Sequence, residues 1–276
     1  VMLKFNEAVR EWLPKQPDGD LTDQILSVFF ACSVYLKIAE YYDESYRIII
    51  KKTEVGINVQ EQILDPSPYL DASLKKGRGA VFFSATLSPV DYYQETLGSS
   101  DALSLRMDSP FEQRQQNILI TDYIDTRFAN REESLPQIVA SIDMLVSAKA
   151  GNYLIFCPSY AYLDQIASAF RVLRPEVQVE QQNNQMSPED RTAFLDKFRT
   201  PSATTLVGFA VLGGIFSEGI DLTDEQLIGV GIVSVGLPGL NVERNLLRDY
   251  FDEKNGHGFE YAYQLPGMNH VLQAAG

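Results

Sequence analysis

The residues best suited to chemistry fall in four short segments. Three of them come directly after an apolar, strand-like run. Ser84, Ala85 and Thr86 follow the run 80–83 and place two hydroxyls within three residues. Uncharged hydroxyls both donate and accept, which suits a relay between a ligand site and a moving neighbour. The same residues can also serve local backbone groups in a turn. Ser159 and Tyr160 follow the run 152–156 and open a helix. A hydroxyl beside free backbone amides at a helix start can hold an anionic phosphate, and a tyrosine can offer a stacking face to a base. A serine cap with a packed tyrosine fits the same pair. The third segment, 213–222, follows the run 204–209 and combines paired glycines with Glu218, Gly219 and Asp221. Its glycines permit close backbone approach. Its two carboxylates, three residues apart, can accept from ribose hydroxyls or pair with arginines across a cleft. A capping role in an acidic loop is the alternative. The fourth segment, 266–276, contains Gln273 and reads by itself as an apolar-faced helix ended by Gly276.

Other chemistries find little support. The chain has two histidines, His257 and His270, and neither lies near a strand-end serine or cysteine in sequence. Position 215 is Ile where a nucleophile elbow needs Gly, so Ser217 is not read as a nucleophile. No metal site is expected. Cys32 and Cys157 stand 125 positions apart, which fits neither a disulfide scaffold nor a zinc site. Two thiols also fall short of the four that an iron–sulfur cluster takes.

The elements that must position these residues change character along the chain. Residues 1–43 read as helical, and 21–42 is apolar almost all round, which predicts burial. Strand-like runs at 47–51 and 55–60 suit a hairpin, and the segment 65–68 breaks regular structure. From about residue 74, strand-like runs at 80–83, 117–121, 152–156, 177–180, 204–209 and 227–233 alternate with helical patterns. The strongest of these is the 3.6-period set Leu135, Ile138, Val139, Ile142, Leu145 and Val146. Ser187, Pro188, Glu189 and Asp190 form a helix start with cap, proline and first-turn acids. Such alternation predicts an α/β fold with a parallel sheet flanked by helices, preceded by a helical and hairpin segment. Ligands of such sheets bind at the carboxyl ends of the strands.

Taken in order, SATLSP at 84–89, YLIFCPSY at 153–160, GGIFSEGIDL at 213–222 and QAAG at 273–276 resemble motifs III, IV, V and the beginning of VI of XPD/DinG-like superfamily-2 helicases. The resemblance implies a RecA-like fold and two domains. Residues 74–276 would be a second motor lobe, and residues 1–73 the end of an Arch-like insertion and the return to the first lobe. It further implies ATP with magnesium in a cleft between lobes and single-stranded DNA in a groove. By that likeness Ser84, Ala85 and Thr86 couple nucleotide state to DNA grip, and Ser159 and Tyr160 contact the strand. Glu218 and Asp221, with Gly219, face nucleotide and strand as the catalytic pair, and Gln273 and Gly276 begin the γ-phosphate-sensing helix. Three features depart from the full pattern. No GxxxxGK[ST] phosphate loop occurs, no DEAH-like acidic box occurs, and the arginines of motif VI would follow Gly276. Ser217 also stands where DinG-like proteins often carry tryptophan. The expectation is therefore the carboxyl-terminal half of a helicase, cut at both ends and inactive in ATP hydrolysis by itself. Its partners would be single-stranded DNA and the amino-terminal lobe, and any iron–sulfur cluster would lie outside this chain. A non-catalytic RecA-like binding module is the alternative.

Composition sets the limits. Of 276 residues, 23 are Lys or Arg and 37 Asp or Glu, for a net charge of −14. That excludes a protein that coats nucleic acid or anionic membrane with its whole surface, and leaves room for one narrow groove. The apolar stretches 206–216 and 227–237 are too short for a bilayer. With no basic and apolar leader pattern at the start, a cytoplasmic protein with reduced thiols and no membrane partner is expected.

Overall fold

The computed structural model describes residues 1–15, 19–109, 111–199, 204–217 and 220–275. It divides into two compact units. One comprises Val1–Phe83, Leu87–Ser104 and Asn241–Gly258, and the other Ser84–Thr86, Leu105–Leu240 and Phe259–Gly276.

In the first unit, α1 (Met2–Trp12) packs on α2 (Asp20–Ala39). Asn6 Nδ2 donates to Ser33 Oγ across that pair at 2.9 Å. Burial of α2 on all sides is not what forms. Thr22 alone is buried, and Leu21, Val28, Phe30 and Val34 lie open to solvent. An apolar circumference predicts burial only when neighbours cover every side, and here one stripe meets α1. By length and composition alone, α2 would also suffice to cross a membrane. Strands β1 (Tyr46–Thr53) and β2 (Gly56–Ile63) form an antiparallel hairpin in the register Tyr46↔Ile63 to Thr53↔Gly56; β1 is longer at both ends than its sequence pattern predicts, and β2 starts one residue later and runs three further. Helices α3 (Ser67–Leu74) and α4 (Val90–Thr96) follow.

The second unit holds a four-stranded parallel sheet. Its strands are β3 (Asn152–Cys157), β4 (Gln178–Gln181), β5 (Leu206–Val211) and β6 (Gly229–Ile232), in the order β4-β5-β3-β6. Side chains alternate across β3, as the period of two requires. Tyr153, Ile155 and Cys157 face α5 (Arg131–Ser147) and α6 (Tyr160–Leu173). Leu154 and Phe156 pack with Phe194 and Phe198 of α7 (Pro188–Arg199). The predicted α5 stripe is the one buried, through Ile138, Val139, Ile142 and Val146. The predicted start of α7 also forms, because Asp190 N donates to Ser187 Oγ at 3.1 Å while Ser187 N donates to the Asp190 carboxylate at 3.0 Å. Gly208 in β5 is forced by packing, since a Cβ there would stand 2.5 Å from the Phe198 ring. Helix α8 (Val242–Asn255) belongs to the first unit, and α9 (Leu265–Ala275) returns to the second behind a π-helical turn, Glu260–Gln264.

Two predicted strands do not form. Residues 80–83 and 117–121 pair with nothing among the described residues, and Val81, Phe83, Ile118 and Ile120 are exposed. Alternation marks a segment able to join a sheet. Joining it also needs a free neighbouring edge, which local sequence does not supply.

Candidate functional site at the strand ends

The carboxyl ends of β3, β4 and β5 converge on one buried amide. Gln182 follows β4 directly and is 1% exposed. Its backbone N–H donates to Phe209 O at 2.9 Å, extending the ladder by one step. Its side-chain Oε1 accepts from Val211 N at 2.8 Å, and its Nε2 donates to Tyr160 Oη at 2.9 Å. Tyr160 is the first residue of α6, whose N-cap is Ser159 in extended backbone. Ser159 Oγ accepts from Tyr162 N at 3.4 Å, a long cap that leaves the hydroxyl weakly held. The Arg131 guanidinium lies over the Tyr162 ring, 4.7 Å from its centroid, and brings a cation to this part of the unit. At the end of β3, burial pushes the Cys157 thiol up to about 12, so it carries no thiolate near neutral pH.

Beyond Val211 the chain makes a tight turn held by its own hydroxyl. Ser217 Oγ accepts from Gly213 N at 2.8 Å and donates to Val211 O at 3.3 Å, and Gly214 N donates to the same carbonyl at 3.0 Å. Ser217 is buried and fully used, which leaves no nucleophile there. Phe216 anchors the turn by stacking on Phe194, with centroids 4.4 Å apart. Gly213 has φ +72°, and a Cβ on it would stand 2.8 Å from Nδ1 of His270. Backbone conformation and the imidazole thus exclude a side chain independently. Glu218 and Gly219 lie outside the described residues, as does Gly276. Asp221 is exposed, between Ile220 and Leu222, which pack on the sheet. Helix α9 meets the turn through His270. Gln273 lies one helical step further along that helix and is half-buried. After β6, Ser234 and Gly236 take φ +72° and +57°, a bend that is costly for a non-glycine residue.

Of the predicted residues, Tyr160 is joined through Gln182 to the root of the turn that runs toward Asp221, Ser159 precedes it as the cap of α6, and the helix bearing Gln273 packs on that turn. Ser84 and Thr86 take the turn geometry, with hydroxyls 3.2 Å apart and Thr86 N donating to Ser84 Oγ at 3.2 Å. Ala85 lies between them, and all three belong to the unit that holds the sheet. Two participants, Gln182 and Arg131, carry no motif or spacing that marks them in the sequence. Among the described residues no group of three or more His, Cys, Asp or Glu side chains could hold a metal ion. The strand ends present an exposed carboxylate and neutral polar groups, which fit one side of a nucleotide. They do not fit a metal-bound triphosphate, for which the sequence has no phosphate loop.

Residues 142–276 match a protein family described as the helicase C-terminal domain. The chain is 24% identical over 253 residues to ATP-dependent DNA helicase chl-1 of Caenorhabditis elegans, covering 84% of this chain and 30% of that protein. It is 23% identical over 250 residues to a regulator of telomere elongation helicase 1 homolog of Oryza sativa subsp. japonica, covering 76% of this chain and 24% of that protein. Among solved structures, an XPD helicase aligns with a TM-score of 0.56 at 18% identity, over 91% of this chain and 43% of that one. A structure titled as apo XPD aligns at 0.55 and 17%, over 98% and 52%. The chain thus spans about 30% or less of the length of these curated relatives. Residues 142–276 match the helicase C-terminal domain family, and nearly the whole chain shares the fold of the XPD structures.

Proposed function

We propose that this chain is the second motor lobe of an ATP-dependent DNA helicase, supplying one face of the ATP cleft and part of the groove for a single DNA strand. The observation that carries the reading is the linkage at the strand ends, where Tyr160 at the start of α6 is tied through Gln182 to the turn that leads to Glu218 and Asp221. A strand-binding group and a nucleotide-facing loop on one parallel sheet are what a motor lobe requires. In this reading Ser159 and the first amides of α6 hold a phosphate while Tyr160 stacks a base. Glu218, Gly219 and Asp221 face the nucleotide, Gln273 and Gly276 belong to the segment that senses its terminal phosphate, and Ser84, Ala85 and Thr86 pass nucleotide state to the strand. Residues 74–276 carry the motifs of the lobe, and 1–73 end an Arch-like insertion and return to the first lobe.

ATP would be the substrate, and magnesium held outside this chain would neutralise the charge that develops on the transferred phosphoryl group. In this reading the phosphate cradle and metal ligands belong to the amino-terminal lobe, in keeping with a sequence that has no GxxxxGK[ST] loop and with the lack of a metal-holding cluster among the described residues. The two unpaired cysteines suit a reducing, cytoplasmic setting. DNA-stimulated ATP hydrolysis is the test. The chain alone is expected to show none, and the full-length protein is expected to lose about tenfold or more on Glu218→Ala. Hydrolysis by the isolated chain would overturn the division of labour. A full-length protein that binds single strands yet hydrolyses no ATP would be a non-catalytic module instead.

A further inference from the structure

The three strand-end loops are not independent. Val211 is bonded on both sides, its N–H to Gln182 Oε1 and its carbonyl to Gly214 N and Ser217 Oγ. The β5 turn therefore cannot rotate about its root without disturbing the Gln182 amide. That amide is planar and buried, and its other end holds Tyr160 Oη at 2.9 Å. A Cβ on Gly214 would stand 3.4 Å from the same Nε2, so the turn also closes over the amide from above. Breaking one of these bonds strands a buried donor or acceptor, which makes the chain of contacts move as a unit.

We propose that Gln182 is a positioning residue that makes the grip of Tyr160 on a DNA strand depend on the conformation of the Val211–Ser217 turn. This rests on the helicase reading, and it adds a connection that no motif residue provides. Gln182 touches neither nucleotide nor strand in this role. It converts movement of the turn into displacement of the Tyr160 ring.

The experiment uses the full-length protein and a fluorescent oligo-dT strand, titrated with and without a non-hydrolysable ATP analogue. The readout is the ratio of the two dissociation constants, which uniform loss of stability does not move. Gln182→Met keeps the side-chain length and removes both amide bonds. Tyr160→Phe keeps the ring and removes only the hydroxyl. Each is expected to bring the ratio about fivefold or more toward one, and the double variant is expected to go no further than Gln182→Met. A wild-type ratio in both variants overturns the inference. So does a wild-type protein that binds the strand and hydrolyses ATP but shows no response to the analogue, and the helicase reading survives that result. A wild-type protein with neither strand binding nor DNA-stimulated ATPase activity overturns that reading and this inference together. Should Gln182→Met fail to fold, Tyr160→Phe decides alone.

Discussion

Each unit of the molecule holds a polar network around a buried side chain, Asp65 in one and Gln182 in the other, and the two are built from opposite materials. In the first unit the network is ionic. Asp65, 2% exposed, accepts from Lys254 Nζ at 2.8 Å, from Tyr250 Oη at 3.3 Å and from Ser67 N at 3.0 Å. Lys254 also pairs with Glu95 at 3.2 Å, and a second pair, Lys51 with Glu243, joins β1 to α8. In the second unit the network of Gln182, Tyr160, Val211 and Ser217 contains no charge. Charges hold strongly but answer to pH and repel a like-charged ligand. Neutral amides and hydroxyls hold geometry while leaving the potential free for an anionic strand. The ionic network fastens α8, which the sequence places 177 positions after Asp65, onto the hairpin side of its own unit. The neutral one lies where a ligand would arrive.

Removing one side of the ionic network should have the largest effect. Lys254→Met leaves the Asp65 carboxylate buried with only neutral donors, at a cost of about 2–3 kcal/mol. Urea unfolding measures it, and adding Asp65→Asn should recover a large part. If the double variant is no more stable than Lys254→Met, the pair is not what holds α8.

Acid sharpens the contrast. Burial raises the Asp65 pKa, but the bonds from Lys254 and Ser67 outweigh it and hold the carboxyl below its ordinary value. A depressed folded-state pKa contributes stability above the unfolded value, near pH 4, and loses it as pH falls through the folded one. Unfolding of the wild type should therefore steepen below about pH 4. In Lys254→Met burial is left with less opposition, so the folded-state pKa rises toward or past the unfolded one and the acid-dependent loss should shrink or reverse. Gln182→Met, which strands the Val211 N–H for about 1–2 kcal/mol, should cost the same at pH 5 and pH 8. A pH-dependent cost there would mean the strand-end network is not neutral in effect.

The same contrast explains which parts were legible in the sequence. The four paired strands and the α5 stripe were readable because alternation and the 3.6 period are written locally. Runs 80–83 and 117–121 carry the same local pattern and stay unpaired, since a strand also depends on an edge elsewhere. Asp65 lay in a segment recognised only as a break, and Gln182 in none. A buried polar residue has no period, and its partners, Tyr160 and Val211 or Tyr250 and Lys254, are distant in sequence. The glycines of 213–214 were legible as close approach, although the neighbour they admit, His270, was not. Gly213→Ala should cost about 1–2 kcal/mol through its left-handed backbone and the imidazole contact, with part returned by His270→Ala.

The smallest effect tests the neutral network at its ligand-facing end. Ser159 caps α6 through a 3.4 Å bond, at the weak limit of a cap, so Ser159→Ala should cost only about 0.5 kcal/mol. Stability alone does not separate a cap from a phosphate contact, because alanine removes both. Ser159→Asp does separate them. Aspartate caps as well as serine and suits the positive end of the helix, so thermal stability should stay at or above that of the wild type. It also sets a full negative charge where a DNA phosphate would sit. In the full-length protein, oligo-dT affinity at low salt should then fall about tenfold, and the loss should shrink as salt screens the charge. Unchanged affinity in a stable Ser159→Asp protein would make Ser159 a cap and nothing more, and would move the strand to another edge of the sheet.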